Sequence, residues 1–238
     1  MSNRVFEELE RARMHQDITK YRDIVFQILL YKYLDEVLLV KLLGNSLSDI
    51  LEQIKDQADT SVLEDAFIEA EIIFQENIDE DFLNGIFDVS RLDRSFDKDS
   101  IMSAIDTLQK ASFDEIDIDE LVENYTLASG KANGYGESCT PVSLCKLIAG
   151  LLSVDGTDFK TIGEQSCGIA SLAIEIGKTA NNKRLYLQET NIDSIRMAKI
   201  IYLLQGGNVD DFFIEQGIGV TLNTYTHLGF EDAKEEVF

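Results

Sequence analysis

The sequence has 238 residues, enough for one large or two small domains, and 45% of them are hydrophobic, so a substantial core is expected. Against 44 acidic residues stand only 21 basic ones, scattered singly, for a net charge of −23; this excludes the basic stripe with which a duplex-binding protein replaces phosphate counterions. The acidity reads either as solubility or as imitation of DNA charge toward a basic partner.

The three cysteines, Cys139, Cys145 and Cys167, have no paired spacing, and only His15 and His227 could join them. Neither a disulfide framework nor a metal site is therefore predicted, and the thiols read as those of a reduced, cytoplasmic protein. The first residues are charged and helical in character, unlike a secretory leader. The most apolar stretch, 24–43, is interrupted by Lys32, Asp35, Glu36 and Lys41, which argues against a membrane span.

The first half, residues 1–128, reads as a helical domain. Tyr21, Ile24, Ile28 and Leu29 recur at helical spacing, continuing through Tyr33 and Val37 until Gly44 and Asn45 supply a stop. A second helix starts at 46–49, and a third at Ser61, where Glu64 three positions on predicts a capping box. Further helices are predicted over 99–110 and 119–127. The acidic run 113–123 reads as a solvated face or a helix start.

Composition changes at the glycine-rich stretch 129–136, and residues 129–238 read as an α/β domain. Thr140 and Pro141 predict a helix start, with Thr140 as cap and Pro141 in the first helical position. That helix runs to about 152. Strands near 161–165, 184–188 and 212–215 then alternate with helices from about 170 and over 192–205, the latter ended by Gly206 and Gly207. This is the pattern of a parallel sheet.

Ligands of such sheets sit outside the carboxyl ends of the strands. The turn after the first strand, Glu164 to Ser171 with Gly168 at its centre, allows backbone amides close to a ligand, although a tight turn needs glycine in any case. Glu189, at the end of the second strand, can accept hydrogen bonds from both hydroxyls of a ribose; Asn191 or Asp193 can equally cap the next helix. The interval from Gly168 to Glu189, about 20 residues, matches that of dinucleotide-binding folds.

Four stretches in order, DITKYRDIVFQILLYKYLDEVL (17–38), GYGESCTP (134–141), GEQSCGIAS (163–171) and LYLQETN (185–191), resemble the type I restriction-modification DNA methyltransferase (modification) subunits of the N6-adenine class. The resemblance runs from about residue 10 to 222. It implies a helical domain followed by an incomplete Rossmann-like sheet that binds S-adenosylmethionine. Carried over by position, the cofactor-binding residues would be Thr140, Pro141, Glu164, Cys167, Gly168, Ala170, Glu189 and Asn191. Glu189 would hold the ribose, and the 164–171 turn would approach the methionine portion.

Four departures from the family pattern bear on function. Ile169 and Ala170 replace small residues of the turn, with loss of its second glycine, and Ser138-Cys139 replaces an aromatic pair. Val220 stands in Gly219-Val220-Thr221-Leu222 where the family has an adenine-contacting Asp. The family's catalytic Asn-Pro-Pro-Phe segment is missing, since no proline follows Pro141. Without it a flipped adenine would have no pocket to read its edge and stack on its face.

The resemblance therefore implies an amino-terminal portion or degenerate paralogue, inactive alone. Its partners would be other restriction-modification subunits or a second copy of itself, with DNA reached only through partners. The alternative is a non-catalytic interaction protein, an anti-restriction decoy or regulator, on the same fold. A stand-alone small-molecule methyltransferase would need more strands than the sequence supplies. Loss of the fourth strand would leave the first as an edge, to be covered by residues 224–238, by a second chain or by rearrangement.

Overall fold

A computed structural model describes residues 2–88, 97–124, 140–154, 160–179 and 184–217. The predicted glycine-rich loop, the domain boundary at 128, the Gly219–Leu222 stretch and the tail lie outside them. Nine helices, among the described residues, precede and interleave three strands. They are α1 (Ser2–Ala12), α2 (Ile18–Tyr33), α3 (Leu47–Gln57), α4 (Ser61–Asn77), α5 (Lys98–Lys110), α6 (118–124), α7 (Val142–Ser153), α8 (Ser171–Thr179) and α9 (Ile192–Leu204). The strands are β1 (Thr161–Gln165), β2 (Arg184–Glu189) and β3 (Phe212–Gln216). The helical front half and the parallel α/β pattern behind it are those predicted.

α2 is the axis of the helical part, buried at every position from Tyr21 to Tyr33. A helix enclosed on all sides must also bury its polar residues, and each of these finds a partner. Asp17 starts it by accepting from the amides of Thr19 and Lys20, both at 3.0 Å. Arg22 reaches Glu10 of α1 and the Asn124 carbonyl of α6, and Lys32 pairs with Glu36. The predicted run through Val37 is helical, but its last turn, Leu34–Leu38, widens to π spacing, with Leu39 N donating to the Leu34 carbonyl at 2.7 Å. The extra residue lets Leu39 follow Leu34 into the core, whereas the α-helical partner, Leu38, is exposed. The helix therefore ends before Gly44.

The predicted capping box at Ser61 and Glu64 does not form. Thr60 occupies the cap position in a helical conformation, and the Asp59 carboxylate accepts from Ser61 N at 3.1 Å. An ionised acceptor two residues earlier outcompetes the hydroxyl. The start at 46–49 does carry a box, with Ser46 and Asp49 bonded reciprocally.

Ala58, exposed beyond the end of α3, sits in left-handed backbone geometry at φ 55° and ψ 29°. Its Cβ is strained there, by roughly 1–2 kcal/mol, and glycine would relieve it at some cost in chain entropy. Ala58→Gly is expected to stabilise the fold by about 0.5–1 kcal/mol, read as a higher urea midpoint at unchanged slope.

The sheet has the order β1-β2-β3, all parallel, with Ile162 opposite Leu185 and Leu185 opposite Phe212. β1 is an edge among the described residues, as the resemblance implied. α8 and α9 cover the face carrying Ile162, Leu185, Leu187 and Phe212, while Phe213, stacked on Tyr186 with ring centres 5.0 Å apart, is exposed on the other. At the end of α9, Gly206 takes φ +78°, as its predicted role as terminator requires. The buried side chains of the helical part and of the sheet layer form one continuous apolar cluster, from Leu9 to Phe212. No helix among the described residues is long and apolar enough to cross a membrane.

Candidate cofactor site

The carboxyl ends of β1 and β2 lie side by side, and the turns that leave them are stitched together. Cys167 N donates to the Gln188 carbonyl at 3.0 Å, and Gly168 N donates to Glu189 Oε2 at 2.8 Å. The first turn is tight enough to need three left-handed residues, Ser166 (φ 53°), Gly168 (φ 58°) and Ala170 (φ 58°). Alanine at 170 therefore keeps the backbone shape that glycine adopts without strain. Ala170 and Cys167 are buried, so their side chains serve the core and only their backbone can face a ligand. At Gly168 no atom of the other described residues, its two chain neighbours aside, lies within 4 Å of where a Cβ would stand, so among them the space over the turn is open.

Glu189 is half-buried and heavily engaged. Its Oε1 accepts from Thr190 N (2.7 Å), Asn191 N (2.9 Å) and Thr190 Oγ1 (3.2 Å), in addition to the Gly168 bond on Oε2. Burial pushes its pKa up, but the hydrogen bonds from the amides of Asn191, Gly168 and Thr190 together outweigh this and hold it below the ordinary value. It is a carboxylate at neutral pH. Glu164, at the end of β1, accepts from Ala173 N at 3.2 Å and so caps α8, and burial raises its pKa.

Burial and then the Glu164 charge push the Cys145 thiol up to about 11 and the Cys167 thiol up to about 12. Both are free, and neither is a nucleophile at neutral pH. α7 packs against α8, the helix that follows the β1 turn. The Thr140 carbonyl accepts from Cys145 Sγ at 3.7 Å at the start of α7.

Glu164, Cys167, Gly168, Ala170 and Glu189 are thus gathered at one end of the sheet, whereas Thr140 stands at the start of α7. One expected local role needs correction. Thr140 does not cap α7: the cap position is Pro141, one residue later in the chain than predicted, with no side-chain bond. Asn191 donates its amide to Glu189 and, as one of the two caps expected, holds the start of α9 through its side chain, accepting from Asp193 N at 2.9 Å and Ser194 N at 3.3 Å.

Two residues were not singled out from the sequence. Thr190, whose hydroxyl bonds Glu189, looks like any turn residue. Arg196 of α9, buried, joins the sheet layer to the helical part. Its Nη2 bonds Asp23 Oδ1 of α2 at 3.0 Å, and its Nη1 bonds Asp88 Oδ2 at 2.8 Å. A second junction forms around Asp119 of α6, which meets Lys146 of α7 (2.6 Å), Lys178 of α8 (3.1 Å) and Gln205 beyond α9 (2.9 Å).

A helical layer, a parallel sheet with helices on its buried face, and a glycine turn facing an acidic strand end define the α/β class of methyltransferase folds. Residues 117–236, half of the chain, match the family described as N-6 DNA Methylase. The chain belongs to the N-6 DNA methylase family. Its fold is that of a crystal structure of the type I restriction-modification system methyltransferase subunit from Streptococcus thermophilus. The two superpose with a TM-score of 0.63 over 92% of this chain at 16% identity, and this chain spans 59% of that one.

Proposed function

We propose that these residues are the amino-terminal, cofactor-holding portion of a type I restriction-modification DNA adenine methyltransferase subunit, inactive alone and acting within a larger assembly. The observation that carries the reading is the pairing of the Gly168 turn with the Glu189 carboxylate at adjoining strand ends, inside the region that matches the N-6 DNA methylase family. The residues fit S-adenosylmethionine: open space over Gly168 among the described residues, glycine-type geometry at Ala170 and an ionised Glu189. Bound there, that cofactor would supply the methyl group. Glu189 would accept the ribose hydroxyls, the 164–171 turn would approach the methionine end, and Thr140 and Pro141 would close the side next to α7.

The same fold has surfaces suited to assembly. Parallel sheets are normally covered on both faces, yet Phe213 is 43% exposed, and β1 is an edge strand among the described residues. Leu144, Leu147 and Leu151 of α7, with Val154 just beyond its end, repeat at heptad spacing on its exposed side, the pattern of a helix made to be packed against. These surfaces support other restriction-modification subunits, or a second copy, as partners. With a net charge of −23, contact with DNA is assigned to those partners.

The second reading, a non-catalytic interaction protein on this fold, is favoured by one feature: Glu189 already receives four hydrogen bonds from its own chain. Calorimetric titration of S-adenosylmethionine into the chain separates the two. Micromolar binding is expected from the first reading; no heat at millimolar ligand would sink it and leave the second.

A further inference from the structure

The geometry points to Thr190 as a residue that sets the affinity of this site, its hydroxyl taking an acceptor position on Glu189 that a ribose hydroxyl would need. The inference rests on the cofactor reading above and names what that reading leaves open, namely which group a diol must displace. A carboxylate offers about four acceptor positions, two on each oxygen. Oε2 of Glu189 uses one, for Gly168 N at 2.8 Å, and keeps one for an incoming hydroxyl. Oε1 carries three donors: the amides of Thr190 (2.7 Å) and Asn191 (2.9 Å) and the Thr190 hydroxyl (3.2 Å).

A vicinal diol donates twice, so its second hydroxyl must displace a donor from Oε1. The two amides are fixed by the backbone at the start of α9, where Asn191 is the cap. The Thr190 hydroxyl makes the longest of the three bonds, belongs to an exposed residue and turns about a single torsion. It is the donor that yields. Thr190 therefore competes internally with the second hydroxyl of a ribose diol.

The test is titration of S-adenosylhomocysteine, and of its 2′,3′-dideoxy form, into the wild-type chain, Thr190→Val and Thr190→Ser. Thr190→Val removes the hydroxyl at similar volume and is expected to bind S-adenosylhomocysteine about three- to tenfold more tightly, the worth of one ordinary hydrogen bond. Thr190→Ser should keep wild-type affinity, and the gain in Thr190→Val should vanish for the dideoxy form. Equal or weaker binding by Thr190→Val, or a gain retained by the dideoxy form, overturns the role of Thr190 while leaving the cofactor reading intact. Absence of binding to all three proteins at millimolar ligand overturns both. Thermal midpoints measured alongside distinguish an affinity change from a loss of fold.

Discussion

Arg196→Met is expected to lower the unfolding free energy by about 3–5 kcal/mol, the usual loss when one partner of a buried ion pair is removed. The Arg196 side chain is 8% exposed, and that of Asp23, which it meets twice at 3.0 and 3.2 Å, is 6% exposed. Gln27 extends the network: its Nε2 donates to Asp23 Oδ2 at 3.1 Å, and its Oε1 accepts from Asp88 N at 2.8 Å. Removing the guanidinium takes from the buried Asp23 carboxylate its two bonds to Arg196, at the seam between α2 and α9. Asp23→Leu combined with Arg196→Met should recover much of the loss, because an apolar pair removes the buried carboxylate together with the guanidinium. Urea unfolding of the single and double variants checks this. A loss below about 1 kcal/mol in Arg196→Met would mean that water reaches the seam and that the two layers are not locked by this pair.

That seam also marks where sequence reading stops. The strands were legible because short apolar runs lay between turn residues, and α2 because Tyr21, Ile24 and Ile28 repeat at helical spacing. The structure places β1, β2 and α9 within a residue or so of those expectations. Arg196 and Asp23 are 173 positions apart, and each looks like a lone charge in an apolar helix. No periodicity links them. The π turn after Tyr33 was hidden for a related reason: Leu34, Leu38 and Leu39 fit two helical registers, and only packing chooses Leu39. At Ser61 the local pattern was right in kind, but Asp59, two residues earlier, is the better acceptor.

Within the site, residue types were readable and hydrogen-bond partners were not. Gly168 and Glu189 were recognised from their spacing, yet spacing does not say that Gly168 N donates to the Glu189 carboxylate. In the sequence Ala170 stands out only as a departure from the family's turn, with a glycine lost. Its φ of 58° and complete burial show instead that the turn keeps its shape and sends the methyl group into the core.

Glu189→Ala is expected to weaken any binding of S-adenosylmethionine at least about a hundredfold, since a diol's charge-assisted acceptor is lost, and to cost about 1–3 kcal/mol of stability as well. The second effect arises because the carboxylate ties the β1 turn to the β2 turn, and its removal leaves the amides of Gly168, Thr190 and Asn191 without this acceptor. The two effects separate by pH. The folded pKa of Glu189 lies below the ordinary value of 4.5, so the stabilising bonds are present in full above that value and are lost as pH falls through the folded pKa. The stability gap between wild type and Glu189→Ala should therefore be constant near neutrality and narrow only below about pH 4.5. A gap that is unchanged down to pH 3, measured by denaturant unfolding, would mean that the variant is destabilised through lost packing and that the carboxylate does not hold the two turns together. Glu189→Gln sharpens the contrast, because its single oxygen can accept from the backbone but cannot supply the charge a ribose diol requires.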